Sequence, residues 1–348
     1  MLNKEEKLKK IQDIKKEYGE DLLILAHHYQ NNDIVSLADY TGDSLKLAKY
    51  AQENKKAKYV VFCGVHFMAE TADILTEDWQ KVLLPAGGAG CPMADMANLA
   101  EAETAWEVLK IEFDKDLLPV TYVNSRADIK AFCGSKGGST VTSGNAPKVM
   151  EWALSQNKIV LFLPDRHLGE NTAYELGIEP KNMAIYNRKT QKVEYECPKE
   201  DVRIVLWDGY CHVHHAITVK HIEQARNSLP EAKIIVHPEC PFDVVRAADG
   251  YGSTEYLINT VKNAPAGSSW VVGTESNLVA RVKAQNTDKQ VYILDTHSVC
   301  TNMNKTNLDN LLETLEDIKN NNFSKQVKVS KDIAEDAVKS LDTMLELC

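Results

Sequence analysis

The sequence predicts an α/β fold: three similar α/β/α units with parallel sheets, arranged about a pseudo-threefold axis with the active site at the centre. Three observations carry this expectation. Short β-rich runs (LLILA, KYVVFC, KVLLP, LPVTYV, KIVLFL, RIVLW, KIIVH, SWVVGT and VYILD) alternate with helical patterns such as SLADYTGDSLKLAKYAQ, as in strand–helix–strand units that feed parallel sheets. A four-step order of elements recurs three times along the chain, and recurrence at this scale reports repeated architecture. Each copy ends its fourth strand and then delivers one cysteine: Cys91, Cys211 and Cys300.

The elements follow in order. MLNKEEKLKKIQDIKKEYGE reads as a charged amphipathic helix without the apolar stretch of a secretion signal. The first step of each copy is an apolar strand ending in hydrogen-bonding side chains: LILAHHYQ with His27 and Tyr29, PVTYVNSRADI with Tyr122 and Asn124, and KIIVHPECPFDV with His237 and Glu239. The second is a small-hydroxyl turn opening a helix: DYTGDSLKLA with Ser44, TVTSGNAPKV with Ser143, and DGYGSTEYLI with Ser253 and Thr254. The third is a strand, a polar turn and a helix: YVVFCGVHFMAETADIL, IVLFLPDRHLGENTAYEL and WVVGTESNLVARV. The fourth is KVLLPAGGAGCPMADM, VRIVLWDGYCHVHHAI and VYILDTHSVCTNMNKT.

This order gives a first unit at 1–92, a second at 93–211 and a third at 212–304. The segment near 176–201 reads as an insertion on the surface, because it is charged and lacks an apolar period. The tail at 305–348 reads as amphipathic helices that complete the first unit.

The chain has 348 residues with 40 basic and 50 acidic side chains, a net charge of -10. It shows no Lys/Arg stripe of the kind a phosphate backbone requires, so nucleic acid is not an expected partner. No apolar run reaches the roughly 18 residues of a membrane span, and the expected location is the cytoplasm. Eight widely spaced cysteines make no compact disulfide framework, so they are core thiols, metal ligands or reactive groups.

In parallel α/β sheets the ligand site lies beyond the carboxyl ends of the strands, where all of these polar residues fall. Three thiols meeting there suit zinc or an iron-sulfur cluster, and three protein ligands leave a metal position open for Lewis-acid work on a substrate. The hydroxyl turns stand at expected helix starts, where free N–H groups favour carboxylates or phosphate. Cys63 ends an apolar run and reads as core. Cys133 and Cys197 have no counterparts in the other copies, Cys348 is a chain end, and Cys240 competes as a ligand but follows a first strand, not a fourth. His27 and His237 share a slot suited to binding a carboxylate or moving protons. His214 would face the same cavity if a helix starts there, whereas His66, His167, His212 and His215 read as capping or packing residues. Glu239 is the candidate acid–base group, with an ion pair to Arg246 as the alternative.

The stretches LAHHYQ, GDSLKLA, FCGVHFMAETADIL, LPAGGAGCPMADM, TYVNS, TSGNA, DGYCHVHH, VHPEC, GSTEYL and CTNMNKT, spanning residues 25 to 306, resemble those of the quinolinate synthase family, iron-sulfur enzymes of de novo NAD biosynthesis. The resemblance implies a [4Fe-4S] cluster held by Cys91, Cys211 and Cys300, with one iron free to meet substrate. It implies condensation of iminosuccinate (iminoaspartate) with dihydroxyacetone phosphate to quinolinate, phosphate and water, which is a transferase reaction. It places substrate contacts on His27, Ser44, Tyr122, Asn124, Ser143, His237, Glu239, Ser253 and Thr254. Proton transfers fall to Tyr29 and Glu239, and substrate orientation to His214 and His237. The expected partners are the two small-molecule substrates and a transient contact with L-aspartate oxidase, for a monomer or homodimer. HSVCTNM has Thr301 where many members place a proline after the cysteine, and it lacks the nearby extra cysteines of some members, so no local redox switch is expected at Cys300. The alternative reading of the residues is a metal- or iron-sulfur-dependent hydro-lyase acting on a small dicarboxylic acid.

Overall fold

A computed structural model describes residues 2–347; Cys348, the chain-end thiol, lies outside the described residues. The strands form three sheets. The first holds β1 (Leu22–His27), β2 (Tyr40–Gly42), β3 (Tyr59–Cys63) and β4 (Lys81–Leu83), all parallel. The second holds β5 (Leu117–Tyr122), β6 (Ser139–Val141), β7 (Ile159–Leu163), β8 (Met183–Asn187), β9 (Lys192–Glu194) and β10 (Ile204–Trp207). The third holds β11 (Lys233–Val236), β12 (Gly250–Tyr251), β13 (Ser269–Gly273) and β14 (Gln290–Ile293), again parallel. A last strand, β15 (Gln326–Val327), runs antiparallel on the free edge of β4.

The neighbour order is β2-β1-β3-β4 in the first sheet, β6-β5-β7-β10 in the second and β12-β11-β13-β14 in the third. The four-step repeat of the sequence thus recurs as one spatial order: second, first, third, fourth. The strands β1, β5 and β7 are buried along their whole length, as expected of parallel strands covered by helices on both faces. Their unbroken apolar runs follow from that.

Three expectations need correction. The segment near 176–201 is not only a surface excursion: β8 enters the second sheet parallel to β10 with Met183, Ala184 and Tyr186 buried, and Tyr186 stacks on Trp207 at 5.3 Å. Only β9, paired antiparallel to β8, stays at the rim. The C-terminal helices do not both complete the first unit. Leu308–Lys319 does pack there, burying Leu311, Leu312, Leu315 and Ile318 with Ile11 and Ile14 of the first helix. Lys331–Glu346 instead lies on the helix Ala127–Ser135 behind the second sheet. Gly134 makes that approach possible, since a Cβ there would stand 1.8 Å from the carbonyl oxygen of Asp336, and Thr140 and Ser340 share a hydrogen bond of 3.0 Å.

The boundaries of the compact units also differ from the division into 1–92, 93–211 and 212–304. One unit comprises residues up to Cys91 with Glu275–Gln285 and Val299–Val329; the other comprises Pro92–Thr274, Asn286–Ser298 and Ser330 onward. The helix Ser276–Gln285 joins the first because Arg281 donates to the backbone carbonyls of His28 and Gln30, and Asn277 to those of Tyr29 and to Asn304 Oδ1. No helix among the described residues is long and apolar enough to cross a membrane.

Candidate active site

In the larger unit, β10 ends at Trp207 and Cys211 caps the short helix His212–His215. Three residues past Cys211, one helical turn, His214 points inward and is fully buried. Its Nδ1 lies 2.7 Å from Glu239 Oε2, and its Nε2 lies 3.0 Å from the Thr274 hydroxyl. Ligand atoms of Cys211, His214 and Glu239 all lie within 4.8 Å of one another. His237 stacks on His214 with ring centroids 4.6 Å apart, and Asn124 Nδ2 reaches Glu239 Oε1 at 3.5 Å. Tyr122 also hydrogen-bonds the Glu239 carboxylate. So Cys211, Tyr122, Asn124, His214, His237 and Glu239 come together. The alternative pairing of Glu239 with Arg246 does not form: that guanidinium lies over the rings of Tyr174, Phe242 and Tyr251.

The electrostatics follow from burial and these partners. Burial alone would raise the Glu239 carboxyl, but the facing imidazoles and the hydrogen bonds from His214 and Tyr122 outweigh it and hold the group below the usual carboxylate range. Burial drives His237 down to about 3, so it is neutral near pH 7.

One local turn recurs between the units. The Tyr29 N–H donates to His27 Nδ1 at 3.1 Å, and the Glu239 N–H donates to His237 Nδ1 at 3.3 Å. An Nδ1 that accepts from the backbone leaves the proton of a neutral ring on Nε2, so both histidines present an N–H at the far side of the ring. In the smaller unit Tyr29 packs edge-on to His27 at 4.8 Å. Cys91 follows β4, and Cys300 lies in the loop tied to it, where Lys305 Nζ donates to the Gly88 carbonyl at 2.7 Å.

The thiols separate by environment. Cys91, Cys211 and Cys300 are half-buried and form no disulfide. Cys63, Cys133 and Cys240 are fully buried, and burial pushes the Cys63 thiol up to about 12 and those of Cys133 and Cys240 up as well. The three repeated cysteines are thus the ones left partly open at strand ends, where a metal could reach them. Cys197 is half-buried but sits beside β9, out of register with any copy.

The hydroxyl turns are less uniform than the sequence implies. Ser253 is a true N-cap, accepting from Tyr256 N, and Thr254 opens the helix with its hydroxyl buried and without a hydrogen-bond partner. Ser44 is the first helical residue, but the cap is Asp43, whose carboxylate takes the Lys46 N–H. Ser143 precedes the cap Asn145 by two residues and stands outside the helix Ala146–Ser155. Ser143 and Ser253 nevertheless meet, lining a cavity of about 380 Å³ with Tyr251 and Glu175. Of the other histidines, His167 and His215 pair at 2.8 Å, and His66 lies 3.6 Å from Glu70 on an exposed helix start.

Two functional candidates escaped the sequence reading. Asp165 and Glu275 are fully buried, and each accepts the backbone N–H of a repeated cysteine: Cys211 to Asp165 Oδ2 at 3.2 Å, Cys300 to Glu275 Oε1 at 3.4 Å. The signal was present, because FLPDRH and VVGTES place an acid at the same step of the third tract, where the first copy has Val65.

Comparison with known proteins adds the rest. A family model described as quinolinate synthetase A protein matches residues 9–346. A quinolinate synthase of Geobacillus sp. is 49% identical over 99% of this chain and 95% of its own length. One from Anoxybacillus flavithermus is 50% identical over 99% of this chain and 94% of its own, and one from Bacillus cytotoxicus 49% over the same shares.

Proposed function

We propose, from the premise that this chain belongs to the quinolinate synthetase A family, that it is an enzyme condensing iminosuccinate with dihydroxyacetone phosphate to quinolinate, phosphate and water. The observation that carries most of the chemistry is the meeting of Cys211, His214 and Glu239 within 4.8 Å, with the carboxylate held ionised. A buried carboxylate beside an accessible thiol and two imidazoles is built for proton transfer next to a metal, not for electron transfer alone.

In this reading Cys91, Cys211 and Cys300 hold a [4Fe-4S] cluster. When bound, it supplies an open iron that polarises a substrate oxygen and eases loss of water. The chain's own residues do the rest. The Glu239 carboxylate accepts, on one oxygen, the proton lost when the imine's methylene carbon becomes a nucleophile, and returns it in later steps. Tyr29 is the second proton-transfer group, in phosphate loss, keto–aldo isomerisation and dehydration. His214 is held between Glu239 and Thr274 and so cannot swing, which suits it to orient substrate. His27 and His237 offer Nε2–H donors to carboxylates. Ser44, Tyr122, Asn124, Ser143, Ser253 and Thr254 complete substrate binding, and the unpartnered Thr254 hydroxyl gives that group a reason to be buried. Closure over the site would protect a hydrolysis-prone imine. The enzyme works in the cytoplasm as a monomer or homodimer and receives its imine in transient contact with L-aspartate oxidase.

The test is anaerobic reconstitution, followed by assay of quinolinate from both substrates. Cys91→Ser, Cys211→Ser and Cys300→Ser should each lose iron and activity, while Cys240→Ala keeps its iron. Quinolinate formation by iron-free protein would overturn the reading. Dehydration of a small dicarboxylic acid with no condensation would favour a hydro-lyase instead.

A further inference from the structure

We propose that Asp165 and Glu275 are positioning residues that fix the backbone of two cluster cysteines, Cys211 and Cys300. The inference rests on the cysteine assignment above and extends it to groups that touch neither substrate nor metal.

The two carboxylates make the same arrangement in different units. Asp165 caps the helix Arg166–Glu175: its Oδ1 accepts from Leu168 N at 2.8 Å, and its Oδ2 accepts from Cys211 N at 3.2 Å. Glu275 immediately precedes the helix Ser276–Gln285: its Oε2 accepts from Asn277 N at 2.8 Å and Leu278 N at 3.4 Å, and its Oε1 from Cys300 N at 3.4 Å. Each carboxylate therefore serves a helix start and also reaches across to a cysteine, 46 residues away in the first case and 25 in the second; Glu275 Oε1 additionally accepts from Asn277 Nδ2 at 3.3 Å and Ser276 Oγ at 3.4 Å. Helix capping alone calls for a short Ser, Thr, Asp or Asn that can lie in water. It does not call for a fully buried carboxylate that also accepts the N–H of a ligand loop. Burying such a group is unfavourable unless its hydrogen bonds are made, so its presence is tied to the contact it makes.

The loops agree in register. Arg166 N donates to Gly209 O at 2.8 Å, two residues before Cys211, and His66 N donates to Ala89 O at 2.8 Å, two residues before Cys91. The backbone strap is thus common to both copies, and the carboxylate is an addition to it. Val65 stands where Asp165 and Glu275 stand. Partners of ligands that fix their orientation commonly carry a tenfold or larger share of metal retention.

The experiment uses full-length reconstituted protein carrying Asp165→Asn or Glu275→Gln. Each amide keeps one acceptor oxygen for the helix but turns an NH2 toward the cysteine N–H, or the reverse. Asp73→Asn is the control: that buried carboxylate also accepts a backbone N–H, from Val329 at 2.8 Å, but serves no cysteine. Iron release to a chelator should accelerate about tenfold in Asp165→Asn and Glu275→Gln and not in Asp73→Asn, with all three apoproteins retaining the wild-type circular dichroism. Unchanged release in both test variants, or equal acceleration in the control, overturns the proposal. If Asp165→Asn fails to fold, Glu275→Gln decides, because its contacts lie in the other unit. Full iron in Cys211→Ser and Cys300→Ser would instead refute the ligand assignment and take this inference with it. Loss of iron there, with no change in the carboxylate variants, refutes this inference alone.

Discussion

Replacing Glu239 by glutamine tests the proposed chemistry at its most exposed point. The carboxylate receives Tyr122, Asn124 at 3.5 Å and His214 at 2.7 Å. A glutamine of the same size offers one acceptor oxygen and one donor NH2, so at least one of those donors must face another donor. Buried polar groups left unpaired cost about 1–3 kcal/mol each, but the variant no longer buries a charge, so the fold should survive. Catalysis should not. Removal of a general base costs about 10²–10⁴-fold in turnover, or roughly 3–5 kcal/mol of barrier. The assay is the initial rate of quinolinate formation under anaerobic conditions, with iron and sulfide content measured on the same sample. The expected result is a fall of kcat in that range with the cluster complete. Turnover within about threefold of wild type at full iron content would refute the role, since no positioning loss is that mild at a true base.

Other consequences can be measured on the apoprotein. His167 is buried, and burial together with the neighbouring His215 lowers it to about 4 from its ordinary 6.5. The unfolded chain then takes up a proton that the fold refuses, so His167 costs nothing above pH 6.5 and destabilises progressively as pH falls from there to about 4, by about 3 kcal/mol at the end of that window. His237, lowered by burial to about 3, destabilises in the same sense over a wider window. Urea unfolding of His167→Gln between pH 7 and 4 should show a shallower loss of stability than wild type, and parallel curves would sink the argument. Gly134→Ala reverses the usual helix preference. Alanine is worth about 1 kcal/mol over glycine in an open helix, but here its Cβ would lie 1.8 Å from the Asp336 carbonyl oxygen. A thermal midpoint lowered by roughly 1–4 °C is expected, and an unchanged or raised one would show that the last helix is not seated there. Arg281→Met should loosen the His27–Tyr29 turn, because its guanidinium holds the carbonyls of His28 and Gln30. Faster amide hydrogen exchange at 27–30 checks it.

The sheets were legible because parallel strands covered on both faces must be continuously apolar, and those runs recur in one order. The strand β8 was not: MAIYN buries only Met183, Ala184 and Tyr186 and is flanked by charged turns, so its local pattern resembles a loop until β10 supplies a partner. The last helix was misplaced for a related reason. Its apolar face announces that it packs but not on what, and the glycine that receives it lies 202 positions earlier at Gly134 against Asp336. The histidines and Glu239 could be placed at strand ends from the repeat. Asp165 and Glu275 could not be told from solvated turn residues, because their burial depends on cysteine loops distant in sequence.

The departures from the repeat carry more chemistry than the repeat itself. The turn after β1 and the turn after β11 share a histidine whose Nδ1 accepts the amide two residues on, so the backbone geometry is one design used twice. What it presents differs: Tyr29 in one copy and Glu239 in the other. A phenol holds its proton near pH 7, whereas this carboxylate is held ionised by its neighbours, so in the proposed reaction one turn offers a proton donor and the other an acceptor. The corresponding turn after β5 has no imidazole and offers Tyr122 and Asn124, which hydrogen-bond the carboxylate of the third copy. Repetition supplied equivalent positions; substitution within them supplied a phenol, a carboxylate and the hydrogen bonds that hold the carboxylate.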